Sequence, residues 1–146
     1  PLSVVLFDVD GFRAYNEAYG HREGDRALQE VAALLDRHTR RMNLSGRYGG
    51  DEFLCVLSGE RPPGATIFAE RIRAGAAALA LPTDVHLTVS AGLASYDPSM
   101  LEPGDLVDAA DRALARAKAT GGNRCVAHGE PAPAPAAATG ATAGDR

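Results

Sequence analysis

The chain has no tryptophan and only two cysteines, and aromatic residues make up 5% of its 146 positions. Neither Cys55 nor Cys125 stands at metal-ligand spacing, and two thiols make no disulfide framework, so a reducing compartment is expected. No stretch approaches the roughly 20 consecutive apolar residues that span a bilayer, and the start carries no signal-like pattern. Positive charge is also in short supply. Lys and Arg number 15 against 19 Asp and Glu, a net charge of -4, which leaves no electrostatic footprint for nucleic acid or direct contact with an anionic membrane. What remains is a cytoplasmic globular domain, alone or as the cytoplasmic part of a larger membrane or sensor protein. An apolar content of 45% suits a single core at this length. No internal repeat is visible. Residues 130–146 are mostly Pro, Ala, Gly and Thr, too poor in large apolar side chains to offset their ordering entropy. They read as a disordered tail or linker after a domain at 1–129.

Apolar periodicity predicts helices at 12–18, at 24–39 (Leu28, Val31, Ala32, Leu35), at 64–79 (Phe68, Ile72, Ala76, Leu79) and at 104–119 (Leu106, Val107, Ala110, Leu114, Ala117). Strands are expected up to Asp8, in a hairpin at 46–57, at 87–93 and at 124–127. Gly121 and Gly122 stop the last helix. Helices interleaved with a largely antiparallel sheet give an α+β sandwich.

Two places carry chemistry. Val4-Val5-Leu6-Phe7 reads as a buried strand that delivers Asp8 to its carboxyl end, where open sheets tend to bind ligands. Gly49-Gly50-Asp51-Glu52 reads as a hairpin tip, with glycine supplying the positive φ of a tight turn. Strand-end and tip acids brought together would repel unless a cation neutralised them. Hard cations such as Mg²⁺ or Mn²⁺ take one or two carboxylates plus substrate phosphates, which points to nucleotide triphosphate chemistry.

Gly49-Gly50-Asp51-Glu52-Phe53 occurs together with Asp8-Val9-Asp10-Gly11-Phe12-Arg13-Ala14-Tyr15-Asn16, then Gly20-His21, Gly24-Asp25, and Ala110-Asp111-Arg112-Ala113-Leu114-Ala115-Arg116-Ala117-Lys118 with Asn123. In order and spacing these blocks resemble the GGDEF family of diguanylate cyclases over most of residues 3–127. The resemblance implies a palm-type fold related to class III nucleotide cyclases. Family members normally have a helix and a short approach segment before the first strand, so the domain reads as cut at its N-terminus. Flanking domains, such as an N-terminal sensor, are expected.

By the same resemblance Asp8, the backbone carbonyl of Val9 and Asp51 would hold Mg²⁺ or Mn²⁺, with Glu52 in support of metal binding or proton acceptance. Asp10, in the same acidic strand end, reads as a turn former or an outer partner. Asn16 and Asp25 match the positions that read guanine: a carboxylate accepts from adjacent N1–H and amino donors, and an amide both donates and accepts. Arg13 stands where the family usually has lysine near the phosphates, and Lys118 matches a lysine on the triphosphate. Phe12, His21 and Gly50 match further substrate-site positions. Each has a bland alternative. Asp25 would suit a helix start, Lys118 a helix C-terminus, Arg13 a solvated surface, Phe12 the core, and His21 a structural hydrogen bond.

The chain departs from the family pattern twice. Gly122 replaces an arginine that contacts the phosphates, and Arg124 is the nearest substitute. The inhibitory R-x-x-D motif reads Arg40-Arg41-Met42-Asn43, so loss of the acid is expected to weaken inhibition by cyclic dinucleotide. The implied reaction joins two GTP molecules into cyclic di-GMP, one GTP on each of two domains meeting face to face. A degenerate GGDEF module sensing GTP or cyclic di-GMP is the alternative, and a mononucleotide cyclase or polymerase-like palm a third.

Overall fold

The structure, a computed structural model, describes residues 1–131 and 134. The elements run β1 (Leu2–Val9), α1 (Phe12–Tyr19), α2 (His21–His38), β2 (Leu44–Gly49), β3 (Glu52–Ser58), α3 (Pro62–Ala77), β4 (Val89–Ser95), α4 (Pro103–Ala119) and β5 (Cys125–Ala127). The tail expected from 130 onward falls almost wholly outside the described residues.

β1 is the apolar run of the sequence and lies at the centre of a five-stranded sheet ordered β2-β3-β1-β4-β5. It pairs antiparallel with β3, from Leu2 opposite Ser58 to Asp8 opposite Glu52, and antiparallel with β4, from Ser3 opposite Ser95 to Val9 opposite Val89. Among the described strands only β5 runs parallel to its neighbour, β4. The mostly antiparallel α+β architecture expected from the sequence is the one observed.

Side chains alternate across a strand, so β1 feeds two cores. Val5, Phe7 and Val9 pack with Phe53, Cys55 and Leu57 beneath the apolar stripes of α2 and α3. There Phe7 meets Phe68 edge-on, with centroids 6.3 Å apart. Val4 and Leu6 face the other way, against Leu106, Ala110 and Leu114 of α4. α4 approaches so closely that a Cβ on Gly92 of β4 would lie 2.1 Å from the Ala110 carbonyl oxygen. α4 starts on Glu102 with a reciprocal capping box to Asp105 and Pro103 in its first turn.

Three expectations need correction. α2 begins at His21, not at residue 24, because Gly20 (φ 89°) turns the chain there. Gly24 and Asp25 therefore lie inside the helix. β4 begins at Val89, not 87, because its pairing with β1 ends at Val9. At the hairpin tip neither Gly49 nor Gly50 is among the glycines with positive φ. A register irregularity between Arg47 and Gly49 shapes that end instead, and Arg47 donates to the Gly50 carbonyl from Nε (2.9 Å) and Nη2 (2.6 Å).

Candidate active site

Strand alternation places Asp8 on the α4 face of the sheet, where it is only 6% exposed. The same crossing brings the last turn of α4 over the end of β1, and Lys118 Nζ lies 2.6 Å from Asp8 Oδ2. Asp8 Oδ1 is buried with no hydrogen-bond partner among the described residues. Burial is the main cause that pushes the Asp8 carboxyl up to about 6; Lys118 pulls it back and the neighbouring Asp51 carboxylate pushes it further up. Asp51 is pinned beside it through the main chain, its carbonyl accepting from Val9 N–H at 3.2 Å. Glu52 stands opposite Asp8 in the β1–β3 register, half-buried.

Asp8, Asp51 and Glu52 therefore share one corner with Lys118, and the Val9 carbonyl belongs to the same strand end. Among the described residues no three His, Cys, Asp or Glu side chains form a closed metal cage. Two carboxylates, one with a free buried oxygen, suit a hard cation that takes its remaining ligands from phosphates and water.

Asp10 has a different position. Its carboxylate accepts from Thr88 Oγ1 (2.7 Å), Ser90 Oγ (2.7 Å) and Asn123 N–H (2.9 Å). It ties β1 to β4 and to the turn after α4. Gly122 (φ 69°) belongs to that turn, and a Cβ there would lie 3.1 Å from Asp10 Oδ1. Arg124 Nε donates to the Gly122 carbonyl at 3.1 Å and Nη1 to the Ala134 carbonyl at 2.9 Å, so its guanidinium is engaged with the loop.

Asn16 lies on α1 against Gly24 of α2, with its Oδ1 buried and without a hydrogen-bond partner among the described residues. Phe12 is half-buried on the main core, its ring edge near Gly24. Asp25 is exposed at a cleft of about 380 Å³ that Leu28, Ala32, Leu35, Arg47 and Phe53 also line. Arg13 is on the surface, paired with Glu17 at 3.3 Å, and His21 is exposed at the start of α2. Arg40 and Asn43 meet at the open end of the β2–β3 hairpin, in a cleft of about 190 Å³ shared with His38 and Arg71. Arg40 pairs with Glu60 at 3.5 Å, and Asn43 Oδ1 accepts from Ser58 N–H at 3.0 Å.

The sequence did not foretell the Lys118–Asp8 pair or the grip of Arg47 on Gly50. The first depends on where α4 crosses the sheet. The second had a signal, a cation three residues before the glycine at the tip. Burial raises the pKa of both thiols, so neither cysteine is a poised nucleophile.

Comparison with known proteins identifies the family. The family model described as "Diguanylate cyclase, GGDEF domain" matches residues 1–124. The chain belongs to the GGDEF family. Diguanylate cyclase A of Treponema denticola is 36% identical over 126 residues, which cover 84% of this chain and 34% of that protein. The chain thus spans about a third of the length of the curated relatives it matches. The active GGEEF domain of a diguanylate cyclase from Vibrio cholerae superposes with a TM-score of 0.85 at 31% identity, over 89% of this chain and 84% of that one. The GGDEF domain of DgcB from Caulobacter crescentus, solved in complex with c-di-GMP, gives 0.84 at 27% identity, over 88% and 78%. No helix among the described residues of this GGDEF domain is long and apolar enough to cross a membrane.

Proposed function

We propose that this domain is a diguanylate cyclase. It condenses two GTP into cyclic di-GMP and two pyrophosphates, with one GTP on each domain of a face-to-face homodimer, and draws on the cytoplasmic nucleotide pool. The observation that carries the reading is the unsatisfied Asp8 carboxylate beside Asp51 and Lys118, on a family scaffold.

Asp8, Asp51 and the Val9 carbonyl would hold Mg²⁺ or Mn²⁺, with Glu52 in support. Such an ion lowers the pKa of an attacking hydroxyl and neutralises charge on the phosphates. Asn16 and Asp25 orient the guanine, with Phe12 as a wall beside it and His21 and Gly50 at the rim. Lys118 and Arg13 offset negative charge on the triphosphate. The 3′-oxygen of one ribose bonds to the α-phosphorus of the other nucleotide, the bond to the β-phosphate oxygen breaks, and Asp51 takes the hydroxyl proton. The second linkage forms reciprocally. Juxtaposing two substrates removes roughly 7–11 kcal/mol of the barrier, so dimerisation governs the rate.

A second reading has its own support. With glycine at 122 and Arg124 engaged on loop carbonyls, Lys118 has little cationic help, as in a degenerate module that senses GTP or cyclic di-GMP. The chain fused to a dimerising helix, incubated with GTP or ATP and Mg²⁺ or Mn²⁺, separates the readings by chromatography of its products. Cyclic di-GMP is expected, reduced at least roughly 10²-fold in Asp51→Ala, the scale of losing one electrostatic contact to the transition state. Bound but unconverted GTP supports the sensor. A cyclic mononucleotide refutes both.

A further inference from the structure

Gly24 is a glycine inside a long helix, a position where glycine is a poor helix former. It is buried and has no positive φ, so backbone conformation does not require it. Its surroundings do. An ideal Cβ at residue 24 would lie 1.7 Å from Asn16 Oδ1, 2.8 Å from Asn16 Cγ and 3.2 Å from Phe12 Cζ. The Asn16 side chain thus occupies the volume a side chain at 24 would fill, and its oxygen faces the Gly24 Cα–H, a weak contact for an atom with no conventional partner. Gly20 (φ 89°) closes α1 and starts α2, which folds the two helices together so that Asn16 meets Gly24.

We propose that Gly24 is a positioning residue for base recognition: the missing side chain seats the Asn16 amide against α2 beside Asp25 and so sets the affinity for guanine nucleotide. The inference rests on the reading of Asn16 and Asp25 as the guanine site. Any Cβ at 24 displaces the end of a short, rotatable side chain and not the backbone. The substitution is therefore tolerated by the fold while Asn16 is turned out of place. Gly104, in the first turn of α4, has nothing within 4 Å of its Cβ position and so separates the general effect of adding a methyl to a helix from the effect on Asn16.

The test measures binding of a non-hydrolysable GTP analogue by calorimetry in Mg²⁺. The full chain is compared with Gly24→Ala, Asn16→Ala, the double variant, Asp25→Ala and a Gly104→Ala control, with an ATP analogue as competitor. Gly24→Ala is expected to weaken GTP-analogue binding roughly 5- to 10-fold, the loss of about one hydrogen bond, and to narrow discrimination against the ATP analogue. Its melting temperature should not fall, and the double variant should bind no worse than Asn16→Ala. If Asn16→Ala weakens binding while Gly24→Ala matches the parent chain, the inference fails and the base-site reading stands. Additive losses in the double variant, or a loss that accompanies a lowered melting temperature, also overturn it. If Asn16→Ala and Asp25→Ala both bind like the parent, or the parent binds no GTP analogue, the base-site reading fails and the inference with it.

Discussion

Removing the charge of Asp8 should make the metal-free domain more stable, and by an amount that depends on pH. The ordinary aspartate value of 3.8 is raised to about 6 in the folded chain, mainly by burial. Below pH 3.8 both folded and unfolded chains hold the proton, and Asp8 contributes nothing. Between the two values the folded chain still binds it and the unfolded chain does not, so unfolding free energy falls as pH rises. Above pH 6 the full penalty applies, about 3 kcal/mol for the gap between the two values. The pull of Lys118 is already contained in that figure. Asp8→Asn keeps the shape and never ionises, so at pH 8 it should exceed the parent by up to about 3 kcal/mol, or about 10 °C in Tm for a domain of this size. Urea denaturation in EDTA at intervals from pH 4 to 8 measures the difference, which should vanish near pH 4. Added Mg²⁺ with a GTP analogue should then stabilise the parent and not the variant. Equal stability at pH 8, or an offset that is the same at pH 4 and pH 8, would refute the reasoning.

Other substitutions test separate parts of the structure. Asp10→Ala leaves two hydroxyls and the Asn123 N–H without their acceptor and should cost about 3 kcal/mol by urea melts, whereas Asp10→Asn, which keeps an acceptor, should cost about 1 kcal/mol. Gly92→Ala drives a methyl into the α4 backbone at Ala110 and Leu114 and should lose about 3 kcal/mol or fail to fold, read by circular dichroism. Asn43→Asp retains an acceptor for Ser58 N–H and restores the acid of the inhibitory motif, so cyclic di-GMP should bind at least roughly tenfold more tightly by calorimetry, the scale of one charge-assisted hydrogen bond. With the unfused chain, product formation should rise more steeply than first order in protein concentration, since the proposed reaction brings two domains together in each turnover.

The strands and their acids were legible because the signals are local. Val4 to Phe7 form an apolar run that ends in Asp8, and the double glycine divides two extended segments. Periodicity likewise marked the inward stripes of α2, α3 and α4, of which Leu28, Val31, Leu35, Ile72, Leu106, Ala110 and Leu114 are buried. Boundaries set by a partner were less legible. Leu87 continues the alternation toward β4 and is buried, yet β1 has already turned away at Gly11 (φ 65°), so no strand is left for it to pair with. Asp25 suited a helix start because the apolar stripe of α2 begins only at Leu28, whereas the helix itself begins at His21. Its neighbours in sequence cannot show that Asn16, one helix earlier, fills the space where a side chain at 24 would go. The Lys118–Asp8 pair is hidden for the same reason: the two residues meet only once α4 has crossed the central strand.

Two aspartates separated by one residue at the end of β1 show how the fold divides acids between structure and chemistry. Asp10 accepts three hydrogen bonds from fixed donors, one of them the Asn123 N–H of the α4–β5 turn. Every contact it makes is complete without a ligand. Asp8, two residues inward, is buried and has one ion-paired oxygen, one oxygen with no partner among the described residues, and a second carboxylate beside it. A buried carboxylate whose pKa rises despite a lysine at 2.6 Å is under-compensated, and evolution toward stability alone would replace it. The deficit is one that a divalent cation would remove. In this corner the less stable arrangement of charge belongs to the acid proposed to act on a ligand, and the fully bonded one to the acid that holds the frame.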